Sequence, residues 1–144
     1  MITDRELTFS NDQAVTTGTQ VSTDVVDTGV AGININTNRE LQIFVSVTTA
    51  FAGGTNLTVN LVESASSDLS TPTVLATSGA IAEANLTAGA VLLRTAVPRT
   101  SKRYLGLQFV STGTHSAGTI FGGIVMDTDT PTADLPAYET GYAE

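Results

Sequence analysis

The chain has 144 residues, with 14 acids set against six Lys and Arg, one histidine and no cysteine. That length holds one ordinary domain whose core needs no covalent staple, and the lack of cysteine excludes thiolate nucleophiles, Cys-ligated zinc and iron–sulfur centres. A net charge of -8 with only 14% charged residues argues against non-specific nucleic-acid binding, which needs many cations, and predicts an uncharged polar surface that tolerates packing against neighbours.

The N-terminal MITDRELTFS lacks the basic-then-apolar order of a signal peptide. No apolar run approaches the roughly 20 residues of a membrane helix, so the expected location is the cytoplasm or a particle assembled there, without a membrane partner. Period-two alternation then dominates the chain. Weak strand candidates lie at 6–10 and 21–28, and a strong one is LQIFVSV, with Leu41, Ile43, Val45 and Val47 on one face. LTVNLVES turns Leu57, Val59 and Leu61 inward, weak candidates follow at 73–77 and 81–86, and AVLLRTAV offers Val91, Leu93 and Val97. RYLGLQFVS supplies Leu105, Leu107 and Phe109, and TIFGGIVMD supplies Ile120, Ile124 and Met126.

Turn signals separate these runs at Thr37-Asn38, Gly53-Gly54, 68–72, Ser78-Gly79, 87–89, Pro98 and 111–118. The expectation is all-β: a jelly-roll β-sandwich of about eight antiparallel strands over 1–127. Gly106 reads as a bulge or a close crossing at a jelly-roll corner, the Gly122 pair as a strand position where another backbone comes close, and Gly53-Gly54 as a hairpin turn. The segment DTDTPTADLPAYETGYAE carries five acids, two prolines and no base, so 128–144 reads as an extended acidic C-terminal arm. Tyr138 and Tyr142 mark that arm as an interface candidate, because amphipathic rings are enriched where surfaces meet.

Catalytic signatures are missing. His115, in STGTHSAG, has no G-x-S-x-G elbow beside it and reads as a solvent-exposed or interface histidine, not a triad base. The carboxylates Asp127, Asp129 and Asp134 fail as a calcium loop, since Thr132 stands where glycine is required and Pro131 at a ligand position. The Asn56 and Asn85 sequons matter only in a secreted eukaryotic chain. The expectation is a protein without catalytic residues, metal, cofactor or small-molecule substrate.

The order of LTVNLVES, the loop SSDLSTPTVLATSGAI, a leucine-rich strand ending in V-P-R, KRYLGLQF, the loop STGTHSAGTI and a last glycine-containing strand resembles the Bbp16-type capsid cement proteins of tailed bacteriophages, over residues 7 to 127. The resemblance implies a jelly-roll decoration protein on the virion exterior. Such a protein binds the outside of an icosahedral head as a homotrimer and strengthens joints between major capsid subunits. The alternative is a small β-sandwich module that binds carbohydrate or a receptor on a phage tail or surface assembly. Its mark would be exposed aromatics on one face, with Phe44, Phe51, Tyr104 and Phe121 as the candidates.

Four of the six cations, Arg94, Arg99, Lys102 and Arg103, fall in RTAVPRTSKRYLGLQF. They are either solvated or paired within the chain, to acids such as Asp68 or Glu83, or they meet acid on a neighbour. That neighbour is the capsid, or the next subunit's arm with Asp127, Asp129, Asp134, Glu139 and Glu144. The candidate partner-binding residues are therefore Arg94, Arg99, Lys102, Arg103, Asp127, Asp129, Tyr138 and Tyr142.

Overall fold

The computed structural model describes residues 2–36 and 41–126. The arm at 128–144 and the turn at Thr37-Asn38 lie outside them. The described residues hold seven strands: β1 (Ile2–Ala14), β2 (Gly18–Val21), β3 (Val26–Asp27), β4 (Leu41–Ser64), β5 (Thr73–Ala82), β6 (Val91–Ala96) and β7 (Tyr104–Met126). A single 3-10 turn, Glu83–Asn85, follows β5. Every strand pair is antiparallel.

Two strands are far longer than their sequence suggests. β4 and β7 run 24 and 23 residues and pair with each other from Leu41↔Met126 to Ser64↔Tyr104. Four register shifts between Val47 and Asn56 bend both strands together. Gly53 takes a left-handed φ of +87° there, which glycine adopts without strain. The Gly53-Gly54 pair and the 111–118 segment are therefore not turns. They are the bent middles of continuous strands, and the expected hairpin at Gly53 is corrected to a bend.

Split at the bend, the sheet becomes two layers. The first half of β4 lies between β6 and β7, and β7 there also pairs β1. The second half of β4 lies between β5 and β7, and β7 there also pairs β2 and β3. The two four-stranded layers, β1-β7-β4-β6 and β2/β3-β7-β4-β5, are the pairing scheme of a jelly-roll sandwich with two strands passing from one layer into the other.

One core fills the space between the layers. Ile43, Val45, Val47, Ile120 and Ile124 from the first meet Leu57, Val59, Leu61, Leu105, Leu107 and Phe109 from the second, so the period-two reading selects the buried face of both long strands. Two inward assignments fail. Val91 is 52% exposed, because a register shift between Val45 and Ser46 breaks the alternation and buries Leu92 and Leu93 together. Met126 is 40% exposed at the strand end opposite Ile2.

Glycines mark close approaches both between the layers and within one. A Cβ at Gly122 would stand 2.5 Å from Leu107, and one at Gly123 would stand 3.1 Å from the Leu7 carbonyl. The expected close backbone crossing is thus at Gly123, while Gly122 makes room for a core leucine. Gly106 sits in an unshifted run of the β4–β7 ladder and accommodates Leu69, so it marks no bulge. The sheet edges are interrupted by bulges in β1, β5 and β6, a device that discourages edge-to-edge aggregation.

Candidate partner interface

At the end of the sandwich away from the bend, the chain crosses between layers through 97–103. Val97 N–H donates to the Leu41 carbonyl at 3.3 Å and Thr100 N–H to the Ile33 carbonyl at 3.1 Å. Four residues after Val97, Ser101 N–H donates to Glu63 Oε2 at 2.7 Å. The starts of β4 and β7 and the ends of both therefore gather at one end, together with Arg99, Lys102 and Arg103. Asn36 closes the corner: its amide donates to the Leu41 carbonyl at 2.9 Å and accepts from Leu41 N–H at 2.9 Å.

Each cation has a distinct environment. Arg103 forks onto Asp27, with Nε 2.7 Å from Oδ1 and Nη2 2.8 Å from Oδ2, the bidentate geometry that suits guanidinium and carboxylate. Its guanidinium also lies 5.3 Å from the centre of the Tyr104 ring. The Arg103 hydrogen bond, aided by Gly29 N–H, holds the Asp27 carboxyl at about 2, and Asp27 raises Arg103 in turn. Lys102 Nζ donates to Thr73 Oγ1 at 2.7 Å. Arg94, on the outer face of β6, donates from Nε to Gln42 Oε1 at 3.2 Å. Arg99 is exposed.

The acids that engage this segment are Asp27 and Glu63, not Asp68 or Glu83. Asp68 accepts from Ser70 N–H at 2.9 Å, and Glu83 belongs to the 3-10 turn. Glu63 is buried and accepts from Ser101 N–H, the Ser101 hydroxyl and, at 3.2 Å, Lys102 N–H. Burial pushes its carboxyl up, but the Ser101 and Lys102 bonds outweigh that and leave it below the usual range. A signal for Glu63 stood in the sequence, because it continues the inward parity of Leu57, Val59 and Leu61 as the one charge in that series. Asp27 has a weaker one, the Asp-Thr-Gly turn signal that follows VV.

Asp127, Asp129, Tyr138 and Tyr142 lie outside the described residues, so the geometry brings together only Arg99, Lys102 and Arg103 of the eight candidates. Arg94 stands apart, opposite Phe44 on the first layer. Among the described residues no group of three His, Asp or Glu side chains is placed to hold a metal ion.

His115 is a correction. It is only 2% exposed, at the bend, with its ring edge-on to Phe51 at 4.9 Å and 83°. Among the described residues neither ring nitrogen has a hydrogen-bond partner, so none of their serine hydroxyls or carboxylates is bonded to it as a triad would require. The loop assignment failed because the segment continues β7, which carries the ring into the core.

A groove of about 710 Å³ runs between β1 and residues 24–27, lined by Arg5, Glu6, Asp24, Asp27 and Phe121 among others. Of the aromatic candidates, Phe51 is core, while Phe44, Tyr104 and Phe121 are half-buried. Phe44 faces Gly123 and Phe121 faces Ser46 across the β4–β7 ladder, which sets the two rings diagonally on the outer face of the first layer.

The fold is that of a small all-β sandwich protein. The family model Bbp16 matches residues 9–124, a span that runs from β1 to the last turn of pairing in β7. The chain belongs to the Bbp16 family. No curated protein matches it.

Proposed function

We propose that this chain is a capsid cement protein, which binds the outer surface of an icosahedral phage head as a trimer and stabilises contacts between major capsid subunits. The observation that carries the reading is the Bbp16 match, which spans nearly the whole sandwich. The sparse charge supports it as well: Arg103 and Lys102 are engaged within the chain, which leaves a largely uncharged polar surface suited to packing on a protein shell.

Cement acts by mass action. A protein that binds assembled shell and not separated subunits stabilises the shell by its own binding free energy at each site. Packed DNA pushes outward, and a trimer that touches several capsid subunits at once is not released when one contact is lost. The role needs no catalytic residue, metal or cofactor, and its partners are the major capsid protein and further copies of the chain.

The test is to add the purified protein to heads assembled without it. Saturable co-sedimentation and a higher temperature of DNA release are expected. Absence of co-sedimentation, or binding with unchanged release, overturns the reading. Light scattering of the free protein gives the oligomeric state, with three chain masses expected for a preformed trimer.

A further inference from the structure

Residues 65–72, between β4 and β5, hold two of the three non-glycine residues with positive φ among the described residues: Leu69 at 55° and Thr71 at 45°. That conformation is uncommon for any side chain and a genuine outlier for a β-branched one. The loop's other residues are exposed or half-exposed, whereas the Leu69 side chain is 2% exposed. It lies on the outer face of the second layer, where a Cβ at Gly106 would stand 2.5 Å from Leu69 Cδ1 and 3.1 Å from Ser22 Oγ. The missing side chain at Gly106 is thus the socket that receives Leu69.

Short bonds shape the loop around this anchor. The Ser64 hydroxyl donates to the Ser70 carbonyl at 2.6 Å, Ser66 N–H to Ser64 Oγ at 3.1 Å, and Leu69 N–H to the Ser66 carbonyl at 3.1 Å. Both ends of the loop are fixed to the same neighbour: Glu63 before it takes the Ser101 and Lys102 amides, and Thr73 after it takes Lys102 Nζ.

We propose that residues 65–72 form a strained clasp that opens without unfolding the sandwich, uncovering the socket at Gly106. The burial of Leu69 and the Ser64–Ser70 hydrogen bond hold it shut, and the strain of two left-handed residues opposes them with an effect of the same order. The fixed ends confine the motion to the loop. The clasp stands whether or not the chain binds a shell.

Hydrogen exchange of the full chain, read by mass spectrometry and corrected for intrinsic rates, tests it. The loop amides are expected to exchange through a local opening that denaturant barely affects, while β4 exchanges only through a denaturant-sensitive one. Leu69→Ala removes the anchor and is expected to speed loop exchange at least tenfold with β4 unchanged. Thr71→Asn places a residue that tolerates the left-handed region and is expected to slow loop exchange several-fold. Loop amides with the denaturant dependence of β4, or loop rates indifferent to both substitutions, overturn the proposal.

Discussion

The two ends of the sandwich are closed by opposite means. At the bend, main chain passes unbroken from layer to layer in both β4 and β7, no Asp, Glu, Lys or Arg side chain takes part, and an edge-on contact of His115 with Phe51 over Gly54 fills the corner. At the other end the chain is interrupted by loops, and charge-assisted bonds tie them: the Arg103 fork on Asp27 and three donors on Glu63. Continuous strands hold a corner through shape, whereas separate loops need directional bonds. The first kind should fail by overpacking; the second should fail by loss of a partner and respond to acid.

The largest effect is expected at the bend. A Cβ at Gly54 would fall 2.1 Å from the His115 ring, and the ring cannot retreat without displacing Phe51. Gly54→Ala is expected to destabilise by roughly 3 kcal/mol or more in chemical denaturation, or to prevent folding. His115→Ala in the same chain frees that space, so the double variant is expected to be more stable than Gly54→Ala alone. Additive losses would show that the ring and the glycine do not compete for one volume.

The contrast between ends also explains what the sequence disclosed. The inward faces of LQIFVSV, LTVNLVES and RYLGLQFVS were legible because alternation is local and each face is buried along its length. Gly53-Gly54 was not, since a glycine pair whose first member takes a positive φ serves a hairpin and a bend equally well. Only the register with β7, fifty or more residues away, separates the two. His115 was misplaced for the same reason. The cluster 99–103 was legible as a concentration of charge, but its pairing with Asp27 and Glu63 was not, because both acids reach it only through the registers of β3 and β4 with β7.

Next in size is Glu63. Glu63→Ala leaves two amides and a hydroxyl of the 101–102 segment without their acceptor, an expected loss of roughly 3 kcal/mol; Glu63→Gln retains one acceptor and should lose roughly 1 kcal/mol. Because the folded carboxyl lies below its ordinary 4.5, its contribution is complete above that pH and disappears as pH falls through the folded value. Denaturation midpoints of wild type and Glu63→Gln are therefore expected to converge as pH drops below about 4.5. A gap that persists unchanged to pH 2.5 would mean that the carboxylate's charge contributes nothing to that end.

The smallest effects belong to the surface cations, and they separate folding from binding. Arg103 and Asp27 have side chains 47% and 43% exposed, so solvent screens their pair. Arg103→Ala should lower the midpoint less than Glu63→Ala does, with a deficit that shrinks in added salt. For Asp27, with its carboxyl at about 2, the pair's contribution fades only as pH falls from about 3.8 toward 2, a loss that begins at lower pH than that of Glu63, whose ordinary value is 4.5. Arg99 is exposed in the same segment and has no bonded partner among the described residues, so Arg99→Ala is expected to leave the midpoint unchanged. That neutrality makes it the sharpest probe of this end. If Arg99→Ala weakens co-sedimentation with heads and its effect diminishes with salt, the loss lies in the contact with an acidic partner surface and not in the fold. Undiminished binding would move the shell contact away from the charge-bonded end.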